Sequence, residues 1–288
     1  MDIVFLGTSS EKAIPRKGCQ CSQCKSDDFH DKRRRSALLI DLSRLASAKT
    51  SRAKEDLSRL ASAKTSRAKE DLSRLASAKT SRAKEDLSRL ASAKTSRAKE
   101  DKKILLDAGP DILSEVKSKK LKVKKIVAVI ITHEHPDHIG GLPDLLKTNP
   151  TLQVFKPKEQ KLELESYKIK TIVVPHQFAK KSTVLTTTII VNDKLLYAPD
   201  FSDIRPLLPY LEKVKVAVLD GSMWERDFGG HQAMKKQIEL IKSEDIKTEV
   251  YFTHDGHTHI PHKNLEAEIK KIGGQNFHLA YDGLKLKI

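Results

Sequence analysis

Cysteine is scarce in this sequence: three in 288 residues, at positions 19, 21 and 24. Thiols this few and this close exclude a disulfide framework, whereas thiolates crowded together suit a metal ion in a reducing compartment. Long apolar runs are missing as well, and none approaches the roughly 18 residues of a membrane-spanning helix. The opening MDIVFLG has no basic stretch before its apolar residues and turns polar at once, so no export signal is expected. These absences point to a soluble, cytoplasmic protein with no membrane partner. A hydrophobic content of 38% still provides for a real core, and the length allows one large domain or two, on the scale of a globular enzyme.

The formal charge of +16 points toward a polyanion until its distribution is examined. DLSRLASAKTSRAKE occupies 41–55, 56–70, 71–85 and 86–100 without a change. Each copy holds four basic and two acidic residues, so the block carries +8 and the other 228 residues share the remaining +8. The repeat lacks Gly and Pro and is rich in helix formers, although three Ser and one Thr per copy weaken it. Leu42, Leu45 and Ala46 give only a thin apolar stripe, and fifteen residues overshoot four helical turns by about 60°. A solvated helix or a disordered loop is expected there, not a packed domain. The flanking SALLID and KKILLD read as neighbouring strands, so 41–100 reads as an insertion into a hairpin of one domain spanning 1–288. Such identity is what tandem duplication of DNA produces. A tolerated surface passenger is one reading; a basic arm that recruits nucleic acid or a partner is the other.

Elsewhere short apolar strands alternate with helices. Strands are expected at 3–6, 37–40, 104–106, 126–131, 169–174, 184–191, 195–197, 214–219 and 250–252, with a C-terminal hairpin around Asp282 and Gly283. Helices are expected at 110–118, 138–147, 231–243 and 261–272. This mixture predicts an α+β fold of two sheets with outer helices.

The strongest chemical signal is THEHPDHIGG at 132–141, directly after the apolar run IVAVII. His133 and His135 can face one way, while Asp137 and His138 reach a second point nearby. Imidazole and carboxylate suit divalent Zn, Mn or Fe, and two such ions about 3.5 to 4 Å apart can activate a water between them. Further ligands must come from distant strand ends. Candidates are His176 in IVVPHQF, Asp200 after LLYAPD and His254 after VYFTH. At the other end of the chain, Cys19, Cys21 and Cys24 give C-x-C-x-x-C, three soft ligands that need one more donor to complete a tetrahedral Zn site.

The segments FLGTSSEKAIPRKGCQCSQC, RRRSALLID, KKILLDAGPDIL, THEHPDHIGG, VVPHQF, YAPDFS, GGHQ, FTHDGHTHIPH and LAYDGLKL follow, in order, those of the metallo-β-lactamase superfamily. The chain resembles its branch of PhnP-like phosphoribosyl cyclic phosphodiesterases over everything but the insertion. The resemblance implies an αββα sandwich with a metal centre along one edge of the paired sheets. It implies that His133, His135 and His176 hold one ion, that Asp137, His138 and His254 hold the other, and that Asp200 bridges them. It makes His257 the fourth ligand of the Cys19, Cys21 and Cys24 zinc, and Asp107 a support for the metal loop through hydrogen bonds. His231, expected to open a helix after a Gly-Gly turn, matches the family's active-site histidine outside the metal set, where it contacts phosphate or donates a proton to the leaving oxygen. Two departures stand out: the segment between His138 and His176 is short, and Asp255-Gly256 replaces the usual small hydrophobic-Ser pair before the zinc histidine.

The expected protein is therefore a hydrolase with two divalent catalytic ions, Zn or Mn, and one structural Zn. It cleaves a small phosphodiester such as a phosphoribosyl 1,2-cyclic phosphate, with Asp137 orienting the nucleophile and His231 assisting the leaving group. An endonuclease of the tRNA 3′-processing type is one rival, with nucleic acid bound through the basic repeat. A non-catalytic, metal-bound scaffold with a basic arm is the other.

Overall fold

The computed structural model describes residues 1–42, 102–165, 167–177 and 183–288. Its strands are β1 (Asp2–Gly7), β2 (Ala37–Asp41), β3 (Lys103–Leu106), β4 (Ile126–Ile130), β5 (Gln153–Phe155), β6 (Gln160–Leu164), β7 (Tyr167–Gln177), β8 (Thr183–Val191), β9 (Leu195–Ala198), β10 (Val216–Asp220), β11 (Glu249–Thr253), β12 (Phe277–Leu279) and β13 (Lys285–Lys287). The α-helices are α1 (Ser22–Lys25), α2 (Ile112–Ser118), α3 (Pro136–Ile139), α4 (Leu142–Thr148), α5 (Leu208–Leu211), α6 (Met234–Ser243) and α7 (His262–Gly273). One six-stranded sheet has the order β13-β1-β2-β3-β4-β5; a seven-stranded sheet has the order β12-β11-β10-β9-β8-β7-β6.

Strand alternation explains how the sheets become layers. In β2, Leu38 and Ile40 join Ile104, Leu106, Ala128 and Ile130 in a core shared with Ile189, Val191, Tyr197 and Val218 of the other sheet. Their neighbours Ala37, Leu39, Leu105 and Val129 face the opposite way, onto Ile112 and Val116 of α2 and Leu145 of α4. The second sheet repeats the pattern, with Leu196, Ala217 and Leu219 meeting Ile238 and Ile241 of α6 and Leu265 and Ile269 of α7. Successive residues on a strand point to opposite faces, so strands that are apolar throughout must be covered on both. Each fully buried Leu or Ile contributes about 1.5 to 3 kcal/mol of transfer free energy. The result is the αββα sandwich.

β2 and β3 pair antiparallel from Leu38 opposite Leu106 to Asp41 opposite Lys103, and the Lys103 ammonium lies 2.7 Å from the Asp41 carboxylate. The insertion thus joins two hydrogen-bonded neighbours, as expected; the helical or disordered conformation expected for the repeat lies outside the described residues. Three other expectations are corrected. The helix predicted at 138–147 divides into α3 and α4, because Gly140 and Gly141 turn the chain between them. β5 and β6, at the sheet edges, were not expected; they are short and half polar. The turn at Asp282-Gly283 closes no hairpin: β12 pairs with β11, whereas β13 pairs with β1 in the other sheet. Partner choice there is a long-range property, and Gly283 N donating to Phe5 O shows where the turn docks.

The C-terminal crossover is fastened by Glu266 of α7, which accepts the Leu279 N–H and lies 2.9 Å from the Lys270 ammonium. Burial alone would raise this carboxyl, but His278, Lys270 and the Leu279 N–H outweigh it and bring it down to about 2. A depressed carboxylate stabilises the fold above its unfolded value, and that contribution disappears as pH falls through the folded one. Glu266→Gln is therefore expected to cost about 2 kcal/mol at pH 7, allowing for partial exposure, and progressively less below about pH 4.5. Urea unfolding at pH 7 and pH 3.5 checks this; a cost independent of pH would show that the charge is not what matters.

Candidate metal centre

The apolar β4 delivers the chain to Thr132, whose N–H and hydroxyl both donate to Asp107 Oδ1 at 2.8 and 3.0 Å. Asp107 follows the parallel neighbour β3, and its backbone takes a left-handed φ of 61°. Ala108 N donates to His138 O and Gly141 N to Ala108 O, so the two strand-end turns are laced together. A Cβ on Gly141 would lie 2.3 Å from Gly109 O, which requires glycine there. The other sheet supplies its groups in the same way. Asp200 follows β9, Asp220 ends β10 and His254 follows β11, and these three strands are parallel. Ligands commonly collect outside the carboxyl ends of parallel strands. β7 runs in the direction of β9 and brings in His176 from within the strand, one residue before its end.

Asp200 is 1% exposed and stands at the middle. Its Oδ2 lies 3.2 Å from His133 Nε2 and 2.9 Å from His138 Nε2. On one side His133 Nε2 is 2.8 Å from His135 Nδ1, and ligand atoms of His133, His135, His176 and Asp200 all lie within 4.8 Å of one another. On the other, His254 Nε2 is 3.1 Å from His138 Nε2 and 3.2 Å from Asp137 Oδ2. The structure thus brings all seven expected residues of this centre together.

The scaffold fixes which nitrogen each ring presents. His138 Nδ1 donates to Asp107 Oδ2 at 2.9 Å, and His176 Nδ1 donates to Gly230 O at 3.0 Å. Ser222 Oγ donates to the His254 carbonyl and accepts from His254 Nδ1. In each case Nε2 points toward the cluster, where a metal would take its lone pair; at His138 burial opposes protonation, but Asp107 and Asp200 outweigh it and raise the imidazole, so a metal would displace a proton there. Burial, reinforced by the neighbouring imidazoles, lowers His133 to about 2. Burial likewise lowers His135 and His176, so these rings are neutral donors. For Asp137 and Asp200 burial works the other way, yet hydrogen bonding and the nearby imidazoles hold both carboxyls below their usual range. His176 Nε2 is buried without a hydrogen-bond partner, whereas Asp200 Oδ1 lies 3.1 Å from both His231 Nδ1 and His254 Nδ1. An orphaned buried nitrogen is costly unless something binds it, and a divalent cation fits this donor set.

The cysteine cluster fits a cation as well. Cys19, Cys21 and Cys24 place their sulfurs 3.6, 3.2 and 3.2 Å from His257 Nε2. Tetrahedral zinc with bonds of about 2.3 Å to sulfur and 2.0 Å to nitrogen demands a separation of about 3.5 Å. Burial pushes the Cys24 thiol up to about 11, so it needs a cation beside it to ionise. Asp255 ties this cluster to the first: it follows His254, and its carboxylate accepts the His257 and Thr258 N–H groups and Gln23 Nε2 of α1.

His231 does not open a helix; α6 begins at Met234, and His231 is bridged to Phe228 across Gly229-Gly230. The helix-terminus setting expected for it is therefore absent, and its ring faces the cluster from a hairpin instead. His231 Nδ1 lies 2.8 Å from Asp220 Oδ2 and 3.1 Å from Asp200 Oδ1. Burial opposes protonation, but Asp220 and then Asp200 outweigh it and raise the imidazole to about 11. Asp220 was missed in the sequence, although VLDGS places an aspartate at a strand end just as LLDAG does for Asp107. A cavity of about 360 Å³, lined by Lys102, Lys124, Glu163 and Glu165 among others, contains none of these residues.

A model of the metallo-β-lactamase superfamily matches residues 97–178. The octanoyltransferase of Porphyromonas gingivalis (strain ATCC BAA-308 / W83) is 26% identical over 145 residues, 50% of this chain and 18% of that protein. Ribonuclease Z of Streptococcus sanguinis (strain SK36) is 30% identical over 149 residues, 51% of this chain and 44% of its own length. The chain thus spans less than half of either relative. Among solved structures, one described as a new diphosphatase from the PhnP family superposes with a TM-score of 0.66 at 19% identity, covering 99% of this chain and 96% of that one. Among the described residues no helix is long and apolar enough to cross a membrane.

Proposed function

This chain has the metallo-β-lactamase fold, and from it we propose a binuclear metal-dependent hydrolase that cleaves phosphodiesters. The observation that carries the reading is Asp200, one buried carboxylate within 3.2 Å of imidazoles from both clusters. In this reading His133, His135 and His176 would hold one ion and Asp137, His138 and His254 the other, with the Asp200 carboxylate within reach of both sets. Cys19, Cys21, Cys24 and His257 hold a structural zinc. Divalent ions at the centre supply Lewis acidity, which neutralises phosphate charge and acidifies water. The chain's own residues do the rest. Asp137, with its side chain 13% exposed, orients the attacking water at the mouth of the cluster. His231, held by Asp220, gives its proton to the leaving oxygen as the P–O bond breaks. The substrate proposed from the resemblance is a small cyclic phosphodiester, phosphoribosyl 1,2-cyclic phosphate being the type.

The Streptococcus ribonuclease Z match favours a second reading, RNA 3′ processing. One assay separates them. Metal-loaded protein is expected to hydrolyse bis-p-nitrophenyl phosphate and small cyclic phosphodiesters, to lose that activity to a chelator and to regain it with Zn or Mn. Cleavage of precursor tRNA in preference to small diesters would establish the second reading. No turnover of any phosphodiester would overturn both.

A further inference from the structure

Among the described residues the two sheets end in four edge strands, β13 and β5 in one and β12 and β6 in the other. β6 has five residues and each of the others three. An edge strand offers unpaired N–H and C=O groups to any chain that can pair with it, and proteins blunt such edges with short strands, bulges, proline or charge. β6, QKLEL, lacks proline and pairs with β7 in unbroken register, from Gln160 opposite Thr171 to Leu164 opposite Tyr167. Only its charges guard it, and Lys161 and Glu163 are of opposite sign.

Which backbone groups of β6 are free follows from β7. Lys168 O accepts from Asn192 N, and Lys168 N donates to Asn192 Oδ1, both at 2.8 Å, so Lys168 faces the β8 side. Backbone groups alternate sides along an antiparallel strand, so Tyr167, Ile169 and Thr171 turn theirs toward Leu164, Leu162 and Gln160. The N–H and C=O groups of Lys161 and Glu163 therefore point to the open edge. The side chains of these two residues are exposed, while Leu162 and Leu164 pack against the core between the sheets. Lys161 stands opposite Lys170 of β7, a like-charge pairing that leaves it without an anion. A cavity lined by Gln153 of β5 and by Glu163 and Leu164 lies beside this edge.

The sequence of β6 is complementary to itself. A second copy laid antiparallel about Leu162 sets Lys161 opposite Glu163 of the partner subunit, and Glu163 opposite the partner's Lys161. Both pairs consist of residues whose backbone groups face the edge, so each exchanges two hydrogen bonds and places a cation beside an anion. At the axis Leu162 meets the partner's Leu162 at the closer, non-hydrogen-bonded spacing. We propose that β6 is a dimerisation edge, at which two copies of this chain pair antiparallel about Leu162 and join their seven-stranded sheets into one. The inference is independent of the reaction at the metal centre. A contact confined to one strand edge falls at the small end of specific interfaces, so a dissociation constant on the order of 10 to 100 µM is expected.

Sedimentation velocity of the full chain between about 1 and 500 µM tests this, with wild type passing from one chain to two as concentration rises. Lys161→Glu and Glu163→Lys each set like charges opposite one another in both pairs, and each should weaken the dimer by about tenfold or more. An equimolar mixture of the two variants restores both ion pairs and should dimerise as wild type does. Hydrogen exchange at the Lys161 and Glu163 amides should slow as wild-type concentration rises, and not in either variant alone. A single-chain species at every concentration, or a dimer that both variants leave intact, would overturn the inference. Protection of the two amides that does not depend on concentration would also overturn it, by placing another segment of the same chain on the edge.

Discussion

Asp200→Ala is expected to slow phosphodiester hydrolysis on the order of 1,000-fold or more and to lower the metal content from about three ions per chain to about one, the ion in the cysteine cluster. The magnitude follows from what Asp200 touches. Its carboxylate is within 3.2 Å of His133 and His138 and within 3.1 Å of His231 and His254, with 1% of its surface exposed. Alanine would leave those rings packed around a void and remove the one carboxylate that reaches both clusters, and several kcal/mol of lost stabilisation is several powers of ten in rate. Asp200→Asn separates charge from shape: it fills the void and still loses metal and activity. Metal analysis by plasma mass spectrometry and the diester assay on one preparation check both. A variant with full metal content and unimpaired turnover would remove Asp200 from the centre.

Cys24→Ser is expected to act on the fold. Cys24 is 8% exposed, and its sulfur meets His257 Nε2 at 3.2 Å alongside those of Cys19 and Cys21. With the cation gone, the loop after β1 and the loop after β11 are still joined by Gln23, Asp255 and Arg33, by Arg16 and Ser22 donating to Gly256 O and His259 O, and by backbone bonds of Asp255 with Thr8 and Ser10. Asp255 Oδ2 accepts from Gln23 at 2.6 Å, with Arg33 Nε 3.4 Å away. Structural zinc commonly contributes many kcal/mol, so a loss of at least about 5 kcal/mol is expected, together with a smaller chelator-induced drop in melting temperature than in wild type, since only the ions of the histidine centre remain to be removed. Calorimetric scans of wild type and Cys24→Ser, with and without chelator, read this directly. Identical melts would show that the cysteines carry no structural ion.

Which parts of this were legible in the sequence follows from the range of the forces involved. The loop from His133 to His138 announces itself because its donors are local and the apolar β4 aims them. His176, Asp200 and His254 could be found because each ends or follows an apolar run, and parallel strands gather their carboxyl ends. Asp220 carried the same mark and was passed over, because a strand-end aspartate does not reveal that it will face a histidine eleven residues on. Sheet membership was the harder problem. Nothing local in FHLAYDGLKLK says that Phe277–Leu279 and Lys285–Lys287 belong to different sheets; that is decided by β11 and β1, remote in sequence. The helix before Met234 was misjudged because a Gly-Gly turn followed by a polar stretch suits a helix start and a hairpin equally.

The junction between β2 and β3 has a genetic consequence. Ala37 and Leu106 lie toward the end of the sheet that bears Asp107, whereas Asp41 and Lys103 close the opposite end. Leu42 N donating to Lys102 O, with Lys102 2.5 Å from Glu165, completes that closure before the chain departs. Lengthening a connection between ends already clamped costs only about 0.6 kcal/mol per doubling. Copies of a 45-base unit can therefore be gained or lost in frame, by slippage during replication, with little selection against them from folding. The same doorway would admit a reporter domain or an affinity tag without disturbing the hydrogen bonds that join Met1 to Ile288.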